Sequence, residues 1–164
     1  MRTHYPRHLE GFSYIGFHRY SLTFCTFDRA HIFVTHAIVR LVADQILRAA
    51  REKAFAVIAY CFMPDHVHVV PEGIAESSDL KAFIALAKQY GGYHYKHETR
   101  QRLWQRYGYE HVIRSDERLQ DVVRYVLENP VRAGLVTRIE DYPFIGSSIY
   151  DRAALIEFAY GRSG

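Results

Sequence analysis

Two histidines, His66 and His68, stand two residues apart within an apolar run that otherwise predicts a buried strand. Because side chains alternate across a strand, both imidazoles leave by the same face, roughly 7 Å apart along the strand. Val67 and Val69 leave by the opposite face and can serve a core. Imidazole is the commonest protein metal ligand near neutral pH, so this spacing predicts two nitrogen ligands for one metal ion. A hydrogen-bonded pair of strand histidines is the simpler alternative.

A second polar set lies on a helix predicted over residues 115–129, whose cap is Ser115-Asp116. Arg118, Tyr125 and Asn129 fall together on one half-buried shoulder of its apolar stripe, at i, i+7 and i+11 spacing. Tyrosine can act as a covalent nucleophile, and an amide oxygen beside two imidazoles suits Mg²⁺ or Mn²⁺. These ligand types also accept Zn²⁺. The simpler alternatives are a packed tyrosine, a surface arginine and an asparagine that ends a helix. The stripe consists of Leu119, Val122, Val123, Val126 and Leu127.

The stretch from Lys88 to Arg106 carries five basic residues against one acid, while the whole chain has a net charge of only +3. Basic side chains bind phosphates and aromatic rings stack on bases, so this stretch is a candidate DNA-binding surface. A solvated basic face fits the same composition. Trp104 is either a core residue or a stacking platform. The candidate DNA contacts are Lys88, Arg102, Trp104, Arg106, Arg114 and Arg118.

The periodicity of the chain predicts the element order β-α-β-β-α-β-α. We therefore expect an α+β ferredoxin-like sandwich, with a mainly antiparallel sheet and helices packed on one face. The 164 residues make one domain, with an N-terminal arm over 1–16, a core over 17–150 and a C-terminal tail over 151–164. The predicted strands cover 17–27, 54–62, 66–70 and 109–114, and the helices 36–52, 77–89, 115–129 and 151–160.

Cys25 and Cys61 lie in apolar strand-like runs and are expected to be buried, reduced thiols. No apolar run is long enough to span a bilayer, and the first residues are polar and basic. The sequence therefore predicts a cytoplasmic protein, associated with the nucleoid if it binds DNA.

Two motifs, in this order along the chain, resemble a known family. Met63-Pro64-Asp65-His66-Val67-His68-Val69 is similar to the metal-binding motif of single-tyrosine HUH transposases. Tyr125-Val126-Leu127-Glu128-Asn129-Pro130-Val131-Arg132-Ala133-Gly134-Leu135 is similar to the tyrosine helix and its exit in REP-associated tyrosine transposases. The similarity covers about residues 17–150, and the stretch 97–110 matches the family pattern only at Leu103-Trp104-Gln105-Arg106.

The resemblance implies a role for each matching residue. His66 and His68 bind the divalent metal, and Asn129 completes the metal site one turn after the tyrosine. Tyr125 attacks a phosphate of single-stranded DNA, which gives a 5′-phosphotyrosine and a free 3′-hydroxyl. The implied partners are imperfect palindromes folded into hairpins, with a short guide sequence beside them. A homodimer is also implied, since in some relatives the tyrosine helix is exchanged between subunits.

The expected activity is that of a metal-dependent, tyrosine-nucleophile DNA transposase or nickase acting at hairpin-forming palindromes. A hairpin-binding regulator that no longer cleaves DNA is the main alternative on the same scaffold. A rolling-circle initiator or relaxase would share the chemistry but usually carries further domains. A structural zinc site usually needs a closed shell of four ligands, and the sequence supplies three candidates.

Overall fold

The structure is a computed structural model that describes residues 13–106, 109–112 and 117–161. Strands β1 to β5 cover Tyr20–Cys25, Phe55–Met63, His66–Gly73, Tyr109–Val112 and Ile145–Gly146. Helices α1 to α5 cover His36–Glu52, Leu80–Thr99, Leu119–Leu127, Asn129–Arg132 and Arg152–Tyr160.

The five strands form one antiparallel sheet in the order β4-β1-β3-β2-β5. The first four strands in this order, with α1 and α2 as the connections, give the predicted ferredoxin-like α+β sandwich. The short edge strand β5 was not predicted, because two residues carry no alternating pattern that a sequence could reveal.

The sheet is covered on both faces, so the expectation of helices on one face is wrong. Val67 and Val69 pack with residues of α1 and α2 in one cluster. Cys61 and Met63 pack with residues of α3 and α5 in a second cluster on the opposite face. The apolar stripe of α3 needs a surface to bury it, and the α1–α2 face of the sheet is already occupied.

Helix α2 runs ten residues beyond the predicted end at Gln89 and continues through Gly91 and Gly92. A Cβ atom at Gly91 would lie 3.4 Å from the indole nitrogen of Trp104, so a residue larger than alanine would crowd that ring. Asp79 caps the helix by accepting a hydrogen bond from the Ala82 amide, as the sequence predicts.

The helix expected over 115–129 is shorter at both ends. It begins at Leu119 with Arg118 as its cap, and the predicted cap residues 115–116 lie outside the described residues. It ends at Leu127, and after Glu128 the chain enters α4 with Pro130 in the first turn. Proline is tolerated there because first-turn amides need no intrahelical acceptor. Of the predicted arm, residues 1–12 also lie outside the described part, as do 113–114 of the fourth strand and 162–164 of the tail.

Candidate functional site

The rings of His66 and His68 converge from β3 on the face of the sheet that carries α3. Their Nε2 atoms lie 3.2 Å apart, so the prediction that both rings share one face is confirmed. Two ligands about 2.1 Å from one ion, at the angles of tetrahedral or octahedral coordination, are about 3.0–3.4 Å apart. The spacing of the two nitrogen atoms therefore fits a shared metal ion. The same distance also permits a hydrogen bond between the rings.

The two remaining ring nitrogens contact polar side chains that fix the rings. The Nδ1 atom of His66 lies 2.7 Å from Oδ1 of Asp65, and the Nδ1 atom of His68 lies 3.0 Å from Oγ1 of Thr23. Thr23 is the register partner of His68 on β1. A carboxylate can only accept a hydrogen bond, so the Nδ1–H group of His66 donates to Asp65 and the lone pair is left on Nε2. Such contacts behind a ligand set its tautomer and orientation.

A loop supports the Asp65 carboxylate from the other side. Arg29 donates from Nε to Oδ2 of Asp65 at 3.0 Å. The backbone carbonyl of Asp65 accepts from the amide and the hydroxyl of Thr26. Arg29 and its neighbour Asp28 adopt left-handed φ angles of 53° and 54°, a conformation that costs free energy in non-glycine residues. The turn before the histidines is therefore held by several contacts.

Burial and hydrogen bonds set the protonation states of His68 and Asp65. Burial, with the charges of His66 and Arg132, lowers the pKa of His68 to about 3, so its ring is neutral and able to ligate at physiological pH. Burial alone would raise the pKa of Asp65, but hydrogen bonds from His66 and Arg29 hold it below its usual value. Asp65 is therefore an anion behind the histidine pair.

Asn129 is the third candidate ligand, and the structure brings it to the histidines. Its Nδ2 atom lies 3.5 Å from Nε2 of His66. A 180° rotation of the amide presents Oδ1 in the same place, so an oxygen ligand is available beside the two nitrogens. Two imidazoles and one neutral oxygen leave open coordination positions, which suit a divalent ion that also binds substrate phosphate.

A closed zinc site of the His and Cys type does not form among the described residues. No group of three or more His, Cys, Asp or Glu side chains there could hold an ion. Cys61 is the register partner of His68, but burial raises its pKa to about 12, so it is a neutral thiol. Cys25 and Cys61 are both free and buried, as predicted.

Tyr125 lies on α3 one helical turn before Asn129, but it is not the half-buried shoulder residue that the sequence predicts. The residue is 65% exposed. The guanidinium of Arg132 lies over its ring, 3.8 Å from the centroid. Because residues i and i+4 are neighbours on a helix, Tyr125 and Asn129 share one helical face.

Basic side chains of α2 and of the segment that follows it line one groove, which has a cavity of about 480 Å³. Segment 103–105 runs antiparallel to the end of β1, where the Gln105 amide donates to the Cys25 carbonyl. Cys25 is the register partner of His66, so the segment is two strand spacings, about 10 Å, from the histidine strand. None of the ten lining residues is acidic: they are Ala85, Lys88, Gln89, Gly92, Lys96, Arg102, Leu103, Trp104, Gln105 and Arg106.

The other candidate DNA contacts are placed differently. Trp104 is only 7% exposed and packs against Phe24 and Phe33, so it is a core residue that lines the groove. Arg118 caps α3 and donates to Gln120, whose side chain contacts the end of α5. It is thus outside the groove and two turns from Tyr125. Arg114 lies outside the described residues.

Arg132 is the residue that the sequence reasoning missed. Because Pro130 was interpreted as the end of the helix, Arg132 was not considered part of the same helical face. Arg132 stands seven residues after Tyr125 and three after Asn129. That spacing places Tyr125, Asn129 and Arg132 on one helical face if the chain stays helical through Pro130. Helix α3 ends at Leu127 and α4 begins at Asn129, so the helical path is almost continuous.

Comparison with known proteins establishes the family. The family model described as Transposase IS200 like matches residues 16–129, so the chain belongs to that family. Within it the chain resembles REP-associated tyrosine transposases, as its motifs indicate. It is 28% identical over 109 residues to the REP-associated tyrosine transposase of Escherichia coli K12, across 64% of this chain and 62% of that protein.

A Haemophilus influenzae protein named as a candidate of the same kind is 32% identical over 102 residues, across 55% of this chain and 57% of its own length. The chain thus spans about three fifths of the length of these relatives. A REP-associated tyrosine transposase solved with a REP hairpin has the same fold, with a TM-score of 0.68, 23% identity and coverage of 82% of this chain and 79% of that one. A candidate transposase from Deinococcus radiodurans gives a TM-score of 0.54 at 17% identity, over 80% of this chain and 95% of that one.

Proposed function

We propose that this protein is a metal-dependent single-stranded DNA endonuclease and strand transferase that uses Tyr125 as its nucleophile. The observation that carries the proposal is the meeting of three candidate ligands, His66, His68 and Asn129, one helical turn from an exposed tyrosine. Membership of a transposase family agrees with it. In the described part of the chain, none of the helices could cross a membrane.

The metal is Mg²⁺ or Mn²⁺ in this proposal. His66, His68 and Asn129 would hold it, Asp65 keeps His66 in the tautomer with its lone pair on Nε2, and Thr23 orients the ring of His68. A bound divalent ion neutralises charge on the phosphate oxygens. The neutral thiol of Cys61, and the lack of a cluster of three or more His, Cys, Asp or Glu side chains among the described residues, argue against a closed structural zinc site.

Tyr125 supplies the oxygen that attacks phosphorus. A bond forms from its Oη atom to the phosphorus, and the bond from phosphorus to the 3′ oxygen of the preceding nucleotide breaks. The phenolic proton passes to solvent, and solvent returns a proton to the departing 3′ oxygen. The products are a 5′-phosphotyrosine and a free 3′-hydroxyl, and the reverse attack by another 3′-hydroxyl transfers the strand.

The DNA partner in this proposal is a single strand that folds into a hairpin, like the REP hairpin bound by the solved relative. The basic groove carries Lys88, Arg102 and Arg106, so it can bind the phosphates of such a strand. Its segment 103–105 lies two strand spacings from β3, and its α2 residues lie on the sheet face opposite the histidines. We also propose that the protein acts as a homodimer, and that DNA binding associates it with the nucleoid.

The test is the trapping of a covalent protein–DNA complex. End-labelled oligonucleotides with a hairpin stem and randomised stem and flank sequences are incubated with the protein and Mn²⁺, Mg²⁺, Zn²⁺ or EDTA, then separated on a denaturing gel. We expect a slow-migrating adduct with Mn²⁺ or Mg²⁺ that EDTA abolishes. Sequencing of the trapped DNA gives the hairpin and the cleavage position.

The matched controls use two equally exposed tyrosines. Tyr125→Phe should abolish the adduct, whereas Tyr93→Phe should retain it, since Tyr93 is 66% exposed on α2 and does not line the groove. Hairpin binding without an adduct under any metal condition would contradict the proposal and support the non-cleaving regulator.

A further inference from the structure

Arg132 completes a line of three polar side chains on the face of α3 and α4. Tyr125, Asn129 and Arg132 follow i, i+4 and i+7 spacing, which places them on one helical stripe. The Arg132 guanidinium lies over the Tyr125 ring at 3.8 Å and donates from Nη2 to the Tyr125 carbonyl at 2.6 Å. The arginine is thereby held beside the proposed nucleophile.

Arg132 is also a helical neighbour of the candidate metal ligand Asn129, which it follows by three residues within α4. The Nδ2 atom of Asn129 lies 3.5 Å from Nε2 of His66. The guanidinium therefore packs on the ring of the proposed nucleophile and lies one helical turn from a candidate metal ligand.

Most of the hydrogen-bonding capacity of Arg132 remains available. A guanidinium has five N–H donors in a planar fork, and the contact with the Tyr125 carbonyl uses one nitrogen. Stacking on the Tyr125 ring involves the flat face of the guanidinium, so it occupies none of the N–H donors at the edge. Among the described residues no carboxylate forms an ion pair with Arg132, whose side chain is exposed. An exposed guanidinium edge matches two oxygens of a phosphate.

We propose that Arg132 is a catalytic residue that binds the scissile phosphate next to Tyr125. The inference depends on the proposed function, because it assigns a contact within the same cleavage step. As the Tyr125 oxygen adds to phosphorus and the 3′ oxygen leaves, negative charge accumulates on the two non-bridging oxygens. Arg132 donates to these oxygens while its stacked face holds the phenol in line.

The simpler account is that Arg132 only caps α3. The last carbonyls of a helix lack intrahelical donors, and an arginine side chain often satisfies one of them. Removal of a cap lowers stability, whereas removal of a phosphate contact lowers the rate of adduct formation at saturating DNA. The two accounts therefore differ in a measurable way.

The experiment compares Arg132→Gln, Arg132→Lys and the control Arg138→Gln on the oligonucleotide selected by the wild-type protein. Arg138 is an exposed arginine paired with Glu140 just beyond the same helical segment. We expect Arg132→Gln to slow single-turnover adduct formation by about 10²–10³-fold, as for loss of one donor to transition-state charge. Lysine keeps the charge but cannot make the planar two-point contact, so the rate of Arg132→Lys should lie between those of Arg132→Gln and the wild type.

The accompanying readouts separate the contact from a cap. The DNA concentration for half-maximal rate and the Mn²⁺ affinity should stay near wild-type values in both variants, and Arg138→Gln should match wild type throughout. The melting temperature of Arg132→Gln should fall because the bond to the Tyr125 carbonyl is lost, so the rate is compared at a temperature where all variants are folded. Added guanidinium ion should raise the rate of Arg132→Gln. If Arg132→Gln does not fold, Arg132→Lys decides.

Three results would overturn the inference. A wild-type rate in a folded Arg132→Gln protein refutes it alone, while the proposed function stands. A wild-type rate in Arg132→Lys refutes the two-point phosphate contact. The absence of any adduct with the wild-type protein overturns the proposed function, and the role of Arg132 in cleavage is rejected with it.

Discussion

Replacement of Asp65 tests whether the histidine pair is built to hold a metal. Asp65→Ala removes the 2.7 Å contact to Nδ1 of His66 and the ion pair with Arg29. It leaves the backbone carbonyl that accepts from Thr26. The ring of His66 then loses the partner that fixes its tautomer, so its Nε2 lone pair is no longer held toward His68.

The expected loss follows from the contact to the ring. Removal of such a partner behind a ligand costs about 10–100-fold in metal affinity, which is about 1.4–2.7 kcal/mol. The ion pair with Arg29 adds little, because the arginine side chain is 52% exposed and such pairs contribute at most about 1 kcal/mol. Asp65→Asn keeps an oxygen acceptor for Nδ1 and should lose less than Asp65→Ala.

The assay is calorimetric titration of Mn²⁺ into the metal-free protein at neutral pH. Asp141→Ala is the matched control, since Asp141 is an exposed aspartate at the end of the turn Ile139–Asp141. It should bind Mn²⁺ like the wild type. If Asp65→Ala also binds Mn²⁺ with wild-type affinity, then Asp65 does not orient a ligand and the rings are better explained as a hydrogen-bonded pair.

Three further predictions concern the groove, the histidine and the core. Lys88→Gln with Arg106→Gln should lower the slope of log affinity for single-stranded DNA against log salt by about 1.4, measured by fluorescence anisotropy, with Arg51→Gln unchanged. The pKa of His68 is lower in the folded than in the unfolded protein, so the unfolded state binds more protons below pH ~6.5 and the metal-free protein loses stability as the pH falls. Urea unfolding should show this loss, with a slope of up to about 1.4 kcal/mol per pH unit that His68→Asn removes. Trp104→Ala should lower the free energy of unfolding by about 3–5 kcal/mol, because the ring is core; a loss near zero would contradict that placement.

The grouping of the candidate ligands could be predicted from local patterns, since period-two alternation alone separates His66 and His68 from Val67 and Val69. Helical spacing alone likewise places Tyr125 and Asn129 on one helical face. His66, the partner of Asp65, is the next residue in the sequence, so this contact could have been predicted from the sequence. Thr23 was not, because it meets His68 through the register of two strands 45 residues apart in the chain.

Other features depend on packing that a single sequence does not display. Pro130 ordinarily marks a helix end, yet here it opens α4, and this keeps Arg132 on the stripe of Tyr125. Trp104 sits in a basic stretch that suggests a surface, but Phe24 and Phe33 bury it. The second helical layer follows from the amphipathic character of α3 only once α1 and α2 are known to fill the first face.

The most direct test of the central claim is peptide mapping of the covalent complex by mass spectrometry after digestion of protein and DNA. The account predicts a nucleotide attached through its 5′ phosphate to Tyr125, formed with Mn²⁺ and lost when His66 and His68 are both replaced by alanine. An adduct on another residue, a 3′-phosphate linkage, or a Tyr125 adduct that forms equally well without the two histidines would contradict it.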